Sequence, residues 1–116
     1  MGGRETADVV RFPGKSTQRT VTFDRHELMA ILNLYGRHVA EGEWRDYAME
    51  FGRDSACFAI FRRAAEQPLY RIIKTPASAR KQGAWSVVAM GGQILKRGHE
   101  LAQVLRVFDK RPKLAT

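Results

Sequence analysis

Three histidines are the residues of this chain that could bind a metal or transfer a proton at neutral pH. His26 and His38 fall on one predicted helix, about 120° apart around it and several turns apart along it, so they cannot share an ion. We expect both to be exposed on the helix surface. His99 falls in the first turn of a second predicted helix, where capping or a local hydrogen bond accounts for it. The sequence therefore predicts no metal site.

Nucleophilic and hydrolytic chemistry also lack the residues they need. Cys57 is the only cysteine, has no base beside it and reads as a small buried hydrophobe. Asp46 and Glu50 would lie about 13 Å apart along one strand face, farther than paired glycosidase carboxylates stand. The glycines form no phosphate-binding loop and suit hairpin turns. We predict no catalytic residue, no cofactor and a non-enzymatic role.

Basic residues are the remaining group with a chemical meaning. The net charge is +8, and it divides into +2 for residues 1–19, −2 for residues 20–66 and +8 for residues 67–116. Such asymmetry favours encounters with phosphates or acidic surfaces. A tryptophan among these residues could stack on a base, or it could lie in the core. The candidate polyanion-binding residues are Arg71, Lys74, Arg80, Lys81, Trp85, Lys96 and Arg97.

The elements that position these residues follow from periodicity. Residues 20–23 alternate like a short strand, and Asp24 with Glu27 has the spacing of a capping box at a helix start. The pattern predicts an α+β fold, an antiparallel β-meander with two helices on one face, in the order β-α-β-β-β-β-β-α. The apolar stripe predicted for the first helix comprises Leu28, Ile31, Leu32, Tyr35 and Val39.

The meander begins with a hairpin whose register the sequence predicts. Pairing across the turn at residues 52–55 sets Phe51 opposite Ala56, Met49 opposite Phe58 and Tyr47 opposite Ile60. A basic connection at residues 75–83, with one helical turn after Pro76, and a two-residue Gly91-Gly92 turn separate the later strands. The closing helix carries Leu101, Val104, Leu105 and Phe108.

Length and composition predict one domain. The 116 residues enclose a single core, which we place at residues 20–111, with disordered tails at residues 1–19 and 112–116. No apolar run approaches the length of a membrane span or a signal peptide. We expect a cytoplasmic protein with no membrane contact.

Several distinctive blocks occur in a fixed order, namely Phe23-Asp24-Arg25, Leu32-Asn33-Leu34-Tyr35-Gly36-Arg37, Gly42-Glu43-Trp44-Arg45-Asp46-Tyr47, Pro68-Leu69-Tyr70-Arg71-Ile72 and Ile94-Leu95-Lys96-Arg97-Gly98-His99. With these blocks, the chain resembles an uncharacterised family of short alphaproteobacterial proteins known as domain of unknown function family 2794. The likeness runs from about residue 20 to residue 108. The resemblance implies a bacterial single-domain protein and carries no established activity, cofactor or site residue.

The sequence thus predicts a small cytoplasmic binding or regulatory module. Nucleic acid or another polyanion is narrowly favoured as the partner, because all of the net excess of positive charge lies in the second half of the chain, at residues 67–116. The alternative is a protein-protein adaptor that docks an acidic partner surface through the same basic residues, or that pairs a chain with an edge strand such as residues 20–23.

Overall fold

The computed structural model describes residues 20–63 and 67–109. Helix α1 is followed by a five-stranded meander and a short helix α2, which confirms the predicted α+β class and the order of these seven elements. Within the described part of the chain, neither helix is long and apolar enough to cross a membrane. The bounds are α1 Arg25–Ala40, β1 Asp46–Phe51, β2 Ala56–Phe61, β3 Tyr70–Lys74, β4 Trp85–Ala89, β5 Ile94–Gly98 and α2 Leu101–Leu105.

Helix α1 begins with the predicted capping box. The Asp24 Oδ1 atom accepts a hydrogen bond from the Glu27 backbone N–H at 2.8 Å, and the Glu27 Oε1 atom accepts one from the Asp24 N–H at 2.8 Å. Two amides that the helix itself cannot pair are satisfied in this way. The helix is followed by Gly42 in the left-handed region, at φ +78°.

The buried face of α1 is rotated slightly from the predicted stripe. Ile31 and Leu34 are buried, whereas Leu32 is only half-buried and Val39 is 39% exposed. The reason lies beyond the helix, where Trp44 packs against the His38 ring and so turns the side of the helix that carries His38 toward the core. The predicted stripe therefore overestimated how deeply Leu32 and Val39 are buried.

The sheet has the strand order β1-β2-β3-β4-β5, and every neighbouring pair is antiparallel. The predicted hairpin register is confirmed, with Phe51 opposite Ala56, Met49 opposite Phe58 and Tyr47 opposite Ile60. Residues directly opposite each other share a face. The row that starts at Met49 therefore continues across one face through Phe58, Ile72 and Val87.

The core lies between the two helices and that face of the sheet, which we call the helix face. Phe58, Ile60, Ile72 and Val87 are fully buried there. Helix α1 contributes Ile31 and Leu34, and α2 with the turn after it contributes Val104, Leu105 and Phe108. The opposite face carries no helix in the described part of the chain, and we call it the open face.

Two local features differ from the sequence prediction. Residues 20–23 form no strand; the Val21 N–H donates to the Gly52 carbonyl at 2.7 Å, and Phe23 packs between Phe51 and Trp85 instead of continuing a ladder. The β4–β5 connection spans residues 90–93 rather than two residues, although both its glycines have positive φ as predicted. The tails predicted at residues 1–19 and 112–116 lie outside the described residues.

Candidate polyanion interface

Strand β3 separates the first two candidate residues onto opposite faces of the sheet. Arg71 lies opposite Ala59 and Val88 on the open face and is exposed. Lys74 lies opposite Trp85 on the helix face. Side chains in a strand alternate with a period of two, so residues three apart always point to opposite sides.

Lys74 is engaged inside the domain. Its Nζ atom donates to the Glu27 Oε1 atom at 2.7 Å and to the Thr22 carbonyl oxygen at 2.9 Å. The same ammonium lies 5.8 Å from the centre of the Trp85 ring, and the side chain is 19% exposed. An ion pair, a carbonyl and an aromatic face thus satisfy its charge, and Lys74 ties α1 to the sheet.

Trp85 belongs to the core in the same region. Its side chain is 5% exposed, and its ring stacks on Phe23 with centroids 6.1 Å apart and an interplanar angle of 13°. A base cannot reach a ring that the protein already covers. Of the two placements that the sequence allowed, the core is the one observed, and Trp85 takes no part in the surface described below.

The connection between β3 and β4 carries Arg80 and Lys81, both exposed. It opens with a single 3₁₀ turn, Pro76–Ser78, as predicted. The Ser78 carbonyl accepts hydrogen bonds from the Lys81 and Gly83 amides, each at 3.0 Å. These bonds give the loop a defined shape that holds the two basic residues at its outer side.

Gly83 brings this loop against β5. Its φ is +99°, and a Cβ atom at this position would lie 2.1 Å from the Gly98 carbonyl carbon and oxygen. No side chain fits in that space. From β5, the Arg97 Nη1 atom donates to the Gln82 Oε1 atom at 2.9 Å, so the strand and the loop are joined beside Arg80 and Lys81.

The two basic residues of β5 diverge. Arg97 pairs with Ser86 and lies on the open face, whereas Lys96 pairs with Val87 and lies on the helix side of this edge strand. Both are exposed. Four of the seven candidates are exposed on the open face or on the loop beside it, and we call these four the basic surface: Arg71, Arg80, Lys81 and Arg97. Arg80, Lys81 and Arg97 lie at one end, and Arg71 lies on the central strand. Lys96 lies at the margin of this surface, and Lys74 and Trp85 lie inside the domain.

The charge of the surrounding segment is of one sign. Residues 67–99 contain six basic and no acidic side chains, and Glu27 of α1 neutralises one of the six, Lys74. The acidic residues of the open face, Asp46 and Glu50, lie on β1, at the far edge of the sheet from β5. The open face is therefore acidic along β1, and it carries Arg71 on the central strand and Arg97 on the edge strand β5.

The centre of the open face is largely apolar. It is formed by Cys57 and Ala59 of β2, Ile73 of β3 and Val88 of β4. Burial raises the pKa of the half-buried Cys57 thiol, the Arg71 guanidinium acts to lower it, and the Glu50 carboxylate acts to raise it. The thiol pKa of Cys57 thus depends on the charges on both sides of this apolar centre.

His38 differs from its prediction as an exposed helix residue. It is half-buried, its Nδ1 atom pairs with the Glu43 Oε1 atom at 2.5 Å, and its ring stacks on Trp44 at 4.0 Å. Three possible ligand atoms lie within 4.8 Å of one another, one each from His38, Glu41 and Glu43. A divalent cation could use such a donor set. Both carboxylates are exposed, and the histidine–Glu43 pair with the Trp44 stack already explains the arrangement. His26 is exposed as predicted.

Fold and surface together define a small α+β domain in which two helices cover one side of a five-stranded meander, and exposed basic residues lie on the other side and on the loop that adjoins it. The chain belongs to the family described as protein of unknown function (DUF2794), whose family model matches residues 21–105. That span runs from just before α1 to the end of α2. No curated protein and no solved structure matches the chain.

Proposed function

We propose that this protein is a small bacterial cytoplasmic module that binds nucleic acid, or another polyanion of the same charge density, through the basic surface. The observation that carries the proposal is the segment of residues 67–99, which has six basic and no acidic side chains. Four of the six are exposed together on the open face and the adjoining loop. A phosphate backbone is the natural partner of such a surface.

The geometry favours backbone contacts over base recognition. Arg71 lies on β3 and Arg97 on β5, two strands apart and offset by two residues along the strands. The usual strand spacing and rise put their Cα atoms about 12 Å apart. Arg80 and Lys81 extend the positive charge past the end of the sheet. Arginine forks bind phosphate oxygens in two-point contacts that carry no base code, so we expect similar affinity for unrelated sequences.

Salt dependence tests the proposal. Each phosphate neutralised by a basic side chain contributes about −0.9 to the slope of log affinity against log salt on duplex DNA. The double variant Arg80→Ala with Lys81→Ala should therefore make that slope shallower by about 1.8. Fluorescence anisotropy with labelled DNA and RNA at several salt concentrations measures it.

A matched control removes the same charge elsewhere. Arg25 and Arg37 are exposed on α1, which covers the other side of the sheet. The double variant Arg25→Ala with Arg37→Ala should keep the wild-type slope. If the folded wild-type protein binds no nucleic acid at low salt, or if both double variants change the slope equally, the proposal is wrong.

An acidic protein surface is the second candidate partner, and the apolar centre of the open face favours it. Ile73 lies at this centre, between Cys57 and Ser86. A protein partner would bury that apolar patch, whereas a phosphate backbone would not. Ile73→Ser should then weaken recovery of a partner from native extract, and nuclease treatment should leave that recovery unchanged. Nuclease-sensitive recovery supports nucleic acid.

A further inference from the structure

We infer a second anion site, for a small molecule that carries a phosphate or polycarboxylate group, at the open end of the β1–β2 hairpin. The site is independent of the proposed function, because it lies at the opposite end of the sheet from the loop with Arg80 and Lys81. Its basic residues are Arg45, Arg62 and Arg63.

The open end of the hairpin brings Arg45 next to the segment that carries the other two arginines. Asp46 pairs with Phe61, and the ladder continues through a hydrogen bond of 2.9 Å from the Arg45 N–H to the Phe61 carbonyl. That bond lies one residue outside the regular register, so Arg45 and Asp46 both face Phe61, and Arg62 and Arg63 follow Phe61 directly on the other strand. Like charges this close repel each other unless a counter-charge lies between them.

None of the three arginines forms an ion pair within residues 20–63 and 67–109, and all three are exposed. Glu43, which also lines this site, pairs with His38 through its Oε1 atom. Its carboxylate is thus drawn toward α1 and only partly offsets the three guanidinium groups.

A concavity lies between this end of the hairpin and the connection from α1 to β1. It is half open to solvent and has a volume of about 530 Å³, and the three arginines share its lining with Glu43, Trp44 and Val39. Trp44 and Val39 give one wall an apolar character. The combination suits a ligand with an oxyanion group held by the arginine forks and a small body against that wall.

Calorimetric titration with pyrophosphate and with citrate tests the site. The wild-type protein should bind at least one of them at one equivalent, and the tighter of the two assigns the phosphate or the carboxylate class. Arg45→Gln with Arg62→Gln should weaken that affinity by about tenfold or more, since charge-assisted two-point contacts are lost. Arg53→Gln is the control, because Arg53 is exposed in the turn at the other end of the same hairpin. It should change the affinity by less than about twofold.

Thermal unfolding separates binding from a structural role. The anion should raise the Tm of the wild-type protein, because it binds the folded state. Without anion, the Arg45→Gln, Arg62→Gln variant should be at least as stable as wild type, since a like-charge pair is removed, and it should lose the gain with anion. Absence of any heat or Tm gain with both anions, or an equal loss in the Arg53→Gln control, overturns the inference. The variant with Arg80→Ala and Lys81→Ala should retain pyrophosphate or citrate binding, so failure of one proposal does not decide the other.

Discussion

At the residue scale, the thiol pKa of Cys57 depends on the charges of the open face. It lies opposite Glu50 on one side and Ile73 on the other. Burial is the largest influence on its thiol pKa and raises it, Arg71 lowers it, and Glu50 raises it. The folded protein therefore holds the thiol proton more tightly than the unfolded chain does. This contribution to stability is fully present below the unfolded thiol pKa and is lost as the pH rises through the higher folded pKa.

The two neighbouring charges can be tested one at a time. Arg71→Gln should raise the Cys57 pKa further, because it removes the positive charge that favours the thiolate, and Glu50→Gln should lower it. The rate of alkylation by iodoacetamide as a function of pH gives both values. A Cys57 pKa that does not respond to Arg71→Gln would show that the arginine points away from the open face.

The residue scale also explains which site residues the sequence could assign. Arg71 and Lys74 were both predicted to bind a polyanion, although residues three apart on a strand lie on opposite faces. Continuing the predicted hairpin register outward would set Arg45 opposite Arg62, but the Arg45 N–H bonds to the Phe61 carbonyl, one residue out of that register. Two other facts had no sequence signal: the Lys74 contact with Glu27 spans 47 positions, and Trp85 is covered by Phe23 from outside the sheet.

At the element scale, Gly83 decides where the basic loop lies. Its positive φ and its contact with the Gly98 backbone let the loop approach β5, where Gln82 receives the Arg97 hydrogen bond. The surface thus depends on a close approach of two backbones as well as on its charged side chains. A sequence pattern predicts the loop and the strand separately, but not this contact between them.

Gly83→Ala should destabilise the fold strongly. The new methyl group would meet the Gly98 backbone, and backbone strain at positive φ adds to the overlap, so we expect a loss of about 2 to 4 kcal/mol in the free energy of unfolding. Gly91→Ala is the control, since Gly91 has φ +101° but open space around it. It should lose only about 1 kcal/mol. Urea unfolding measures both, and equal losses would mean that the loop does not press against β5.

Local pattern predicted the elements well where neighbouring residues encode them. The capping box of Asp24 and Glu27 and the β1–β2 register both follow from short-range spacing, and both are observed. Residues 20–23 have a strand-like alternation, but Phe23 is drawn into the aromatic contacts with Phe51 and Trp85. The packing of distant rings, which local pattern does not contain, decided that segment.

At the scale of the whole molecule, the charges divide the sheet. Acidic residues lie along β1, the basic surface lies toward β5 and the β3–β4 loop, and a separate group of arginines lies at the other end of the β1–β2 hairpin. A polyanion should therefore approach from the side of β5, with β1 turned away from it. The two helices on the opposite side should remain free of contact.

The most direct test is a map of backbone amide chemical shifts during titration of the labelled protein with a short DNA duplex at low salt. We predict that the largest changes fall at Arg71, at residues 80–82 and at Arg97, with small changes along α1. The changes should diminish together as salt is added, because the contacts are made to phosphates. Changes concentrated on α1 or along β1, or no change at low salt, would contradict the account.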